Sequence, residues 1–180
     1  MPIATVALDA LRDSLPDELK DVRLNLSAVL AGENLSAEQA CGVALASARF
    51  LRHPRLSEAL AADARAGLGP AADAVISDAV AAAGLMAMNT VYYRFRHMVG
   101  KESYAARSPR LRMARMAQPA TSKADFELMS LACAALAGCE LCIQSHEASL
   151  LHLGLGEEAC HDAVRIAAVV NAAACGLAGV

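Results

Sequence analysis

Tryptophan is absent from the chain, and only three phenylalanines and three tyrosines are present. Strands draw on aromatic and β-branched residues, so this scarcity argues against a core built on sheets. No excess of one charge exists either. Sixteen basic and 19 acidic residues are mostly interspersed, with a net charge of −3, which leaves no field to draw nucleic acid or an anionic membrane. One local exception is the group Arg107, Arg110, Arg112 and Arg115. It reads as a solvated loop with some internal ion pairs, or as a docking point for an acidic partner. The opening residues, Met-Pro-Ile-Ala-Thr, lack a basic n-region and an apolar stretch ending in a cleavage site, so the expectation is a cytoplasmic protein. The longest uncharged runs, residues 79–93 and 166–180, fall short of the ~18 to 20 residues needed to span a bilayer and contain Asn89 and Asn171. They read as buried helices, the second one suited to a subunit contact.

What is present is 56% hydrophobic content over 180 residues, with alanine and leucine dominant. That is enough for one sizeable core and favours closely packed helices, so the fold class expected is all-α in a single domain, residues 1–180. Leu8, Leu11 and Leu15 are spaced as one face of a short helix, and Pro16 opens a second running to about Leu30. Ser36-Ala37-Glu38-Gln39 is a capping box that starts a helix ending near His53-Pro54. Pro54 starts the next, which ends at Gly67-Leu68-Gly69, and Pro70 starts a long alanine-rich helix towards Met98 that Gly84 can kink. Residues 100–121, with Gly100, Pro109, Pro119 and the arginines, read as a loop. Ser122, with Asp125 at the third helical position, starts a helix to Ala137; Gly138 ends it; a helix from near Cys139 runs to about His152; and Glu157 and Glu158 suit the start of the last.

The chain also resembles itself weakly. Ser36-Ala37-Glu38-Gln39 overlays Ser122-Lys123-Ala124-Asp125, and Gly67-Leu68-Gly69 overlays Gly154-Leu155-Gly156 one residue further on, as in two degenerate helical repeats over roughly residues 1–100 and 101–180. In the register of the serines, Glu127, Cys139, Cys142 and His146 match Cys41, His53, Leu56 and Leu60. Only the second half keeps groups with chemistry.

Of six cysteines, Cys41, Cys133, Cys160 and Cys175 stand singly in apolar helical surroundings and read as core. Cys139 and Cys142 form a CxxC, followed by His146. At 3.6 residues per turn Cys142 lies about 60° round the helix from Cys139, and Cys139 and His146 are only about 20° apart. All three share one face. A first helical turn stabilises thiolate, and His146 supplies a base within reach of Cys142, so the set reads as a redox dithiol. Two other readings stand beside it: a zinc site, for which no second CxxC or HxxxH supplies further ligands, and plain core packing. Position at the helix start favours Cys139 as the nucleophile. Glu127 lies in the apolar run Phe126-Glu127-Leu128-Met129, either facing solvent or buried with a partner.

Phe126-Glu127-Leu128-Met129-Ser130, Gly138-Cys139-x-x-Cys142-x-x-x-His146-Glu147, Met88-Asn89-x-Val91-Tyr92-Tyr93-Arg94 and Leu111-Arg112-Met113 closely resemble the alkyl hydroperoxidase D family, within the carboxymuconolactone decarboxylase-like superfamily. The likeness extends over nearly the whole chain. It implies an all-α fold of duplicated helical units, assembled as a homo-oligomer, commonly a trimer; the residues themselves lead to the expectation of no bound metal and no resident cofactor. The likeness also implies an antioxidant peroxidase that reduces a partner peroxiredoxin of the alkyl hydroperoxide reductase C type. Electrons come from dihydrolipoamide on a lipoylated dihydrolipoamide acyltransferase, recharged by lipoamide dehydrogenase and NADH. By the resemblance Cys142 is the peroxidatic thiol, Cys139 the resolving thiol and proton donor, and His146 with Glu127 the proton relay. The family thus assigns attack to the second cysteine, opposite to the helix-start argument. Family members carry a histidine immediately before that cysteine, where this chain has Leu141. A non-catalytic dithiol sensor or assembly subunit of the same fold is the alternative. A ring-opening decarboxylase fits less well, because those enzymes generally lack the CxxC.

Overall fold

Ser36 and Ser122 open their helices in the same way. Each serine Oγ accepts a hydrogen bond from the backbone amide three residues on, Gln39 at 3.2 Å and Asp125 at 3.0 Å, and each third residue's side chain returns a bond to the serine N–H. Two orphan donors are satisfied at each helix start. The two capping side chains then meet, Gln39 Nε2 donating to Asp125 Oδ1 at 2.9 Å, so the helices begin side by side.

The computed structural model describes residues 4–178, and no strand occurs among them. Its helices are α1 (Val6–Asp13), α2 (Lys20–Val29), α3 (Ala37–Phe50), α4 (Pro54–Gly67), α5 (Ala72–Val99), α6 (Glu102–Ala105), α7 (Ala114–Ala117), α8 (Lys123–Ala137), α9 (Glu140–His152) and α10 (Glu157–Leu177). The all-α fold class read from composition is the observed one. Residues 79–93 lie within α5 and residues 166–177 within α10, while 179–180 lie outside the described residues; both helices are long and apolar enough to cross a membrane by length and composition. Both pack instead along α3 and α8.

Residues 40–48 of α3 and 126–134 of α8 are buried without interruption, which makes these the central pair. A helix apolar all round belongs in the middle of a bundle. Gly42 permits the close approach: a Cβ there would collide with Cε of Met129 on α8 and press on Val75 of α5 at 3.4 Å. The pairings recur between halves. As α3 packs on α4 and α5, α8 packs on α9 and α10, while α5 crosses to α8 and α10 crosses to α3.

Two buried aspartates fasten these crossings. Asp78 of α5 accepts from Arg115 Nε at 2.8 Å, Ala120 N at 3.1 Å, and Thr121 N and Oγ1, both at 2.7 Å. Asp162 of α10 accepts from Asn34 Nδ2 at 2.9 Å and Arg165 Nη1 at 2.8 Å. Each holds the segment that leads into the opposite half's central helix. Burial opposes their ionisation, but these donors outweigh it and hold both carboxyls below the ordinary value.

The structure differs from the sequence expectation in detail. Pro16 and Pro70 introduce short 3₁₀ turns, Asp17–Leu19 and Gly69–Ala71, before α2 and α5, because their fixed φ suits a tight first turn. Within residues 100–121 stand the single turns α6 and α7. Arg115 forms an internal ion pair with Asp78 at 2.8 Å, whereas Arg107, Arg110 and Arg112 are exposed. Cys41, Cys133 and Cys160 are buried as expected, but Cys175 is exposed on the outer side of α10. Leu15 is buried although α1 ends at Asp13.

Candidate active site

Gly138 closes α8 in the left-handed region, at φ +62°, and its backbone N–H bonds to Ala134 and Ala135 carbonyls. This turn delivers Cys139 as the N-cap of α9, and Cys142 three residues on. The two are joined as a disulfide across the first turn, with Cα atoms 5.3 Å apart. Cys139 is fully buried at 0% exposure and Cys142 is 7% exposed. The pair packs against Ala134, Ala137, Ile143 and Tyr93 of α5.

One turn further along, His146 faces the same region. Its Nδ1 lies 2.5 Å from Glu127 Oε2, a buried contact between α9 and α8. Glu127 is 3% exposed, which settles the open question of its orientation: it points inward and is paired. Its other oxygen, Oε1, takes Lys123 Nζ at 2.7 Å, and the same ammonium donates to the Met116 carbonyl at 2.8 Å. Burial works against the charge on Glu127, but the hydrogen bonds from His146 and Lys123 more than compensate, and its carboxyl sits below the ordinary value. With Nδ1 committed to Glu127, Nε2 is the ring nitrogen that this contact leaves over.

These groups form one wall of a cleft of about 580 Å³, lined by Met86, Asn89 and Tyr93 of α5, by Met113, Met116 and Ala117 in and before α7, and by Lys123, Leu141, Cys142, Ser145 and His146. Cys142 and His146 reach this cleft and Cys139 lies behind it. Leu141, which stands where the resembling family has histidine, is 40% exposed at the cleft. The lining is largely apolar and rich in methionine, a flexible surface suited to organic molecules. Among the described residues no group of three or more His, Cys, Asp and Glu side chains is placed to hold a metal ion.

The structure therefore brings Glu127, Cys139, Cys142 and His146 together. Sequence reasoning missed Lys123, although a lysine four residues before a glutamate on one helix is a visible signal. It also missed Asn89, which donates to Met116 Sδ at 3.7 Å and whose buried Oδ1 has no partner. The buried Cys41 and Cys133 are chemically quiet. Burial pushes the Cys41 thiol up to about 12, helped by nearby Asp63, and burial raises Cys133 still more strongly.

Comparison with known proteins gives the same direction. Residues 103–178 match the description of the carboxymuconolactone decarboxylase family. The chain is 58% identical over 171 residues to a protein of Anaeromyxobacter sp. (strain Fw109-5) named alkyl hydroperoxide reductase AhpD, covering 94% of this chain and 90% of that one. Proteins of the same name are 47% identical over 175 residues in Methylobacterium sp. (strain 4-46), covering 97% and 98%, and 45% identical over 169 residues in Rhodopseudomonas palustris (strain BisB18), covering 94% and 92%.

Proposed function

The chain belongs to the alkyl hydroperoxide reductase AhpD group of the carboxymuconolactone decarboxylase-like family, and from that premise we propose that it reduces organic hydroperoxides with the Cys139–Cys142 dithiol. The observation that carries the reading is the placement of Cys142 in the cleft beside a buried His146–Glu127 pair, with Cys139 behind it within bonding distance. Cleft access favours Cys142 as the attacking thiol over Cys139, whose helix-start position alone would have chosen it.

In the reduced protein His146 Nε2 takes the Cys142 proton, directly or through one water, and Glu127 stabilises the imidazolium through Nδ1–H. The thiolate attacks the terminal oxygen of the hydroperoxide. An S–O bond forms, the O–O bond breaks, and the alkoxide leaves with the Cys139 proton as an alcohol. Cys139 thiolate then attacks the sulfenic sulfur of Cys142; the S–S bond forms, and hydroxide departs as water with the proton held on His146. Two electrons have passed from the dithiol to the peroxide. Dihydrolipoamide returns them by thiol–disulfide exchange, itself becoming lipoamide.

The same reading includes a cytoplasmic homo-oligomer, commonly a trimer, charged by a lipoylated acyltransferase with lipoamide dehydrogenase and passing electrons also to a peroxiredoxin. The test is NADH consumption when an organic hydroperoxide is added to protein, lipoamide and lipoamide dehydrogenase. Turnover that Cys142→Ser abolishes is expected. A Cys142→Ser protein working at the wild-type rate overturns the assignment, and a reversible disulfide without turnover would favour a dithiol sensor.

A further inference from the structure

We propose that Lys123 is a positioning residue of the relay: by neutralising the buried Glu127 carboxylate from the side opposite His146, it leaves His146 a neutral base towards Cys142. The inference rests on the relay reading above and extends it to a residue outside the CxxC motif.

A carboxylate 3% exposed needs a countercharge. Two groups touch it, one on each oxygen: His146 Nδ1 on Oε2 and Lys123 Nζ on Oε1. With the ammonium in place, one negative and one positive charge already balance, and the imidazole can donate its Nδ1–H while remaining neutral overall. Without the ammonium, the carboxylate and imidazole are a coupled pair that takes up a further proton more readily. Whether that proton sits on Glu127 or on His146 Nε2, the pair has lost its capacity to accept the proton of Cys142.

Lys123 is well placed for this task. It lies one turn before Glu127 on α8, and its stem and ammonium form part of the cleft wall. The bond to the Met116 carbonyl fixes the ammonium between α8 and the segment that closes the cleft. Of the other ionisable groups on the elements packed here, Glu147 of α9 lies near Cys160 of α10, and several more are engaged elsewhere. Asp125 of α8 binds Gln39 of α3, Arg115 of α7 binds Asp78 of α5, Glu140 of α9 lies against His97 of α5, and Asp162 of α10 binds Arg165. Tyr93 of α5 and Cys142 of α9 share the cleft with the pair.

The test reads His146 directly. In the fully reduced protein, the ring nitrogens of His146 are followed by NMR against pH for the wild type, Lys123→Met and Lys123→Arg. Because Lys123 is half-exposed and solvent screens part of its field, the pH at which the ring gains its second proton should move up by about one unit in Lys123→Met rather than several. Lys123→Arg should stay close to the wild type. An unmoved midpoint in a folded Lys123→Met protein overturns the proposal and makes Lys123 only a tie to Met116. If Lys123→Met does not fold, the wild-type protein decides the matter: a neutral ring protonated at Nδ1 at neutral pH is expected, and an imidazolium there overturns it. A moved midpoint in a protein that fails to turn over hydroperoxide would sink the proposed function and leave this inference standing.

Discussion

Glu127 carries charge where charge is costly, and the two donors on it make that tolerable. Replacing it by glutamine keeps the shape but removes the acceptor that orients His146 and stabilises its charged form. Peroxide-driven oxidation of Cys142 in Glu127→Gln should slow by about 10²-fold or more, as expected for loss of a general-base relay, and stopped-flow measurement of disulfide formation checks it. The same residue links stability to pH. Its carboxyl titrates below the ordinary value of 4.5 in the folded protein, so its contribution is fully present above that pH and is lost as the pH falls through the lower, folded value. Asp78 and Asp162 act with the same sign. Urea unfolding midpoints should therefore fall between about pH 5 and pH 3, and less steeply in Glu127→Gln. The sequence placed Glu127 in the right company but left its direction open, because burial depends on α9 lying across α8. Lys123 was visible only as a spacing of four.

At the scale of elements, the turn between α8 and α9 decides where the dithiol sits. Gly138 occupies left-handed backbone that an L-residue enters at a cost of about 1 kcal/mol, so Gly138→Ala should lose roughly that much stability. It should also slow reaction of Cys142, since any relaxation of φ moves the N-cap; denaturation and alkylation rates read the two effects separately. The opposite wall depends on Asp78. In Asp78→Ala the amides of Ala120 and Thr121 lose their acceptor and Arg115 loses its anchor, which should cost on the order of 2–4 kcal/mol. Capping serines and Gly138 were legible because their chemistry is local. The single turns α6 and α7 were not: a four-residue turn is not stable by itself, and these are held in place by contacts such as Arg115 with Asp78, which lie far apart in sequence.

At the scale of the whole molecule, corresponding faces of the two halves are used differently. Cys139 stands at the N-cap of α9 without a side-chain capping bond, its sulfur being joined to Cys142; the matching His53 caps α4, its Nδ1 accepting from Leu56 N at 3.2 Å. Where the second half has Glu127 and His146 beside an open cleft, the first has Cys41 and Leu60 beside a cavity of only about 20 Å³, shared with Thr5, Leu30 and Asp63. The N-terminal helices cover that face. Asp63 of α4 receives the first amides of α1, Ala7 N at 2.8 Å and Leu8 N at 2.9 Å, because the Thr5 side chain at the N-cap makes no capping bond. No local pattern in the sequence announces this cap, since its acceptor lies more than fifty residues away. If one half supplies chemistry and the other packing, the two properties should separate. Asp63→Ala should remove about 1–3 kcal/mol by uncapping α1. It should leave alkylation of Cys142 within about twofold of the wild type, because distant sites with no shared partners act independently. Parallel denaturation and alkylation measurements check this. A loss of Cys142 reactivity matching the loss of stability would show instead that the covered face supports the open one.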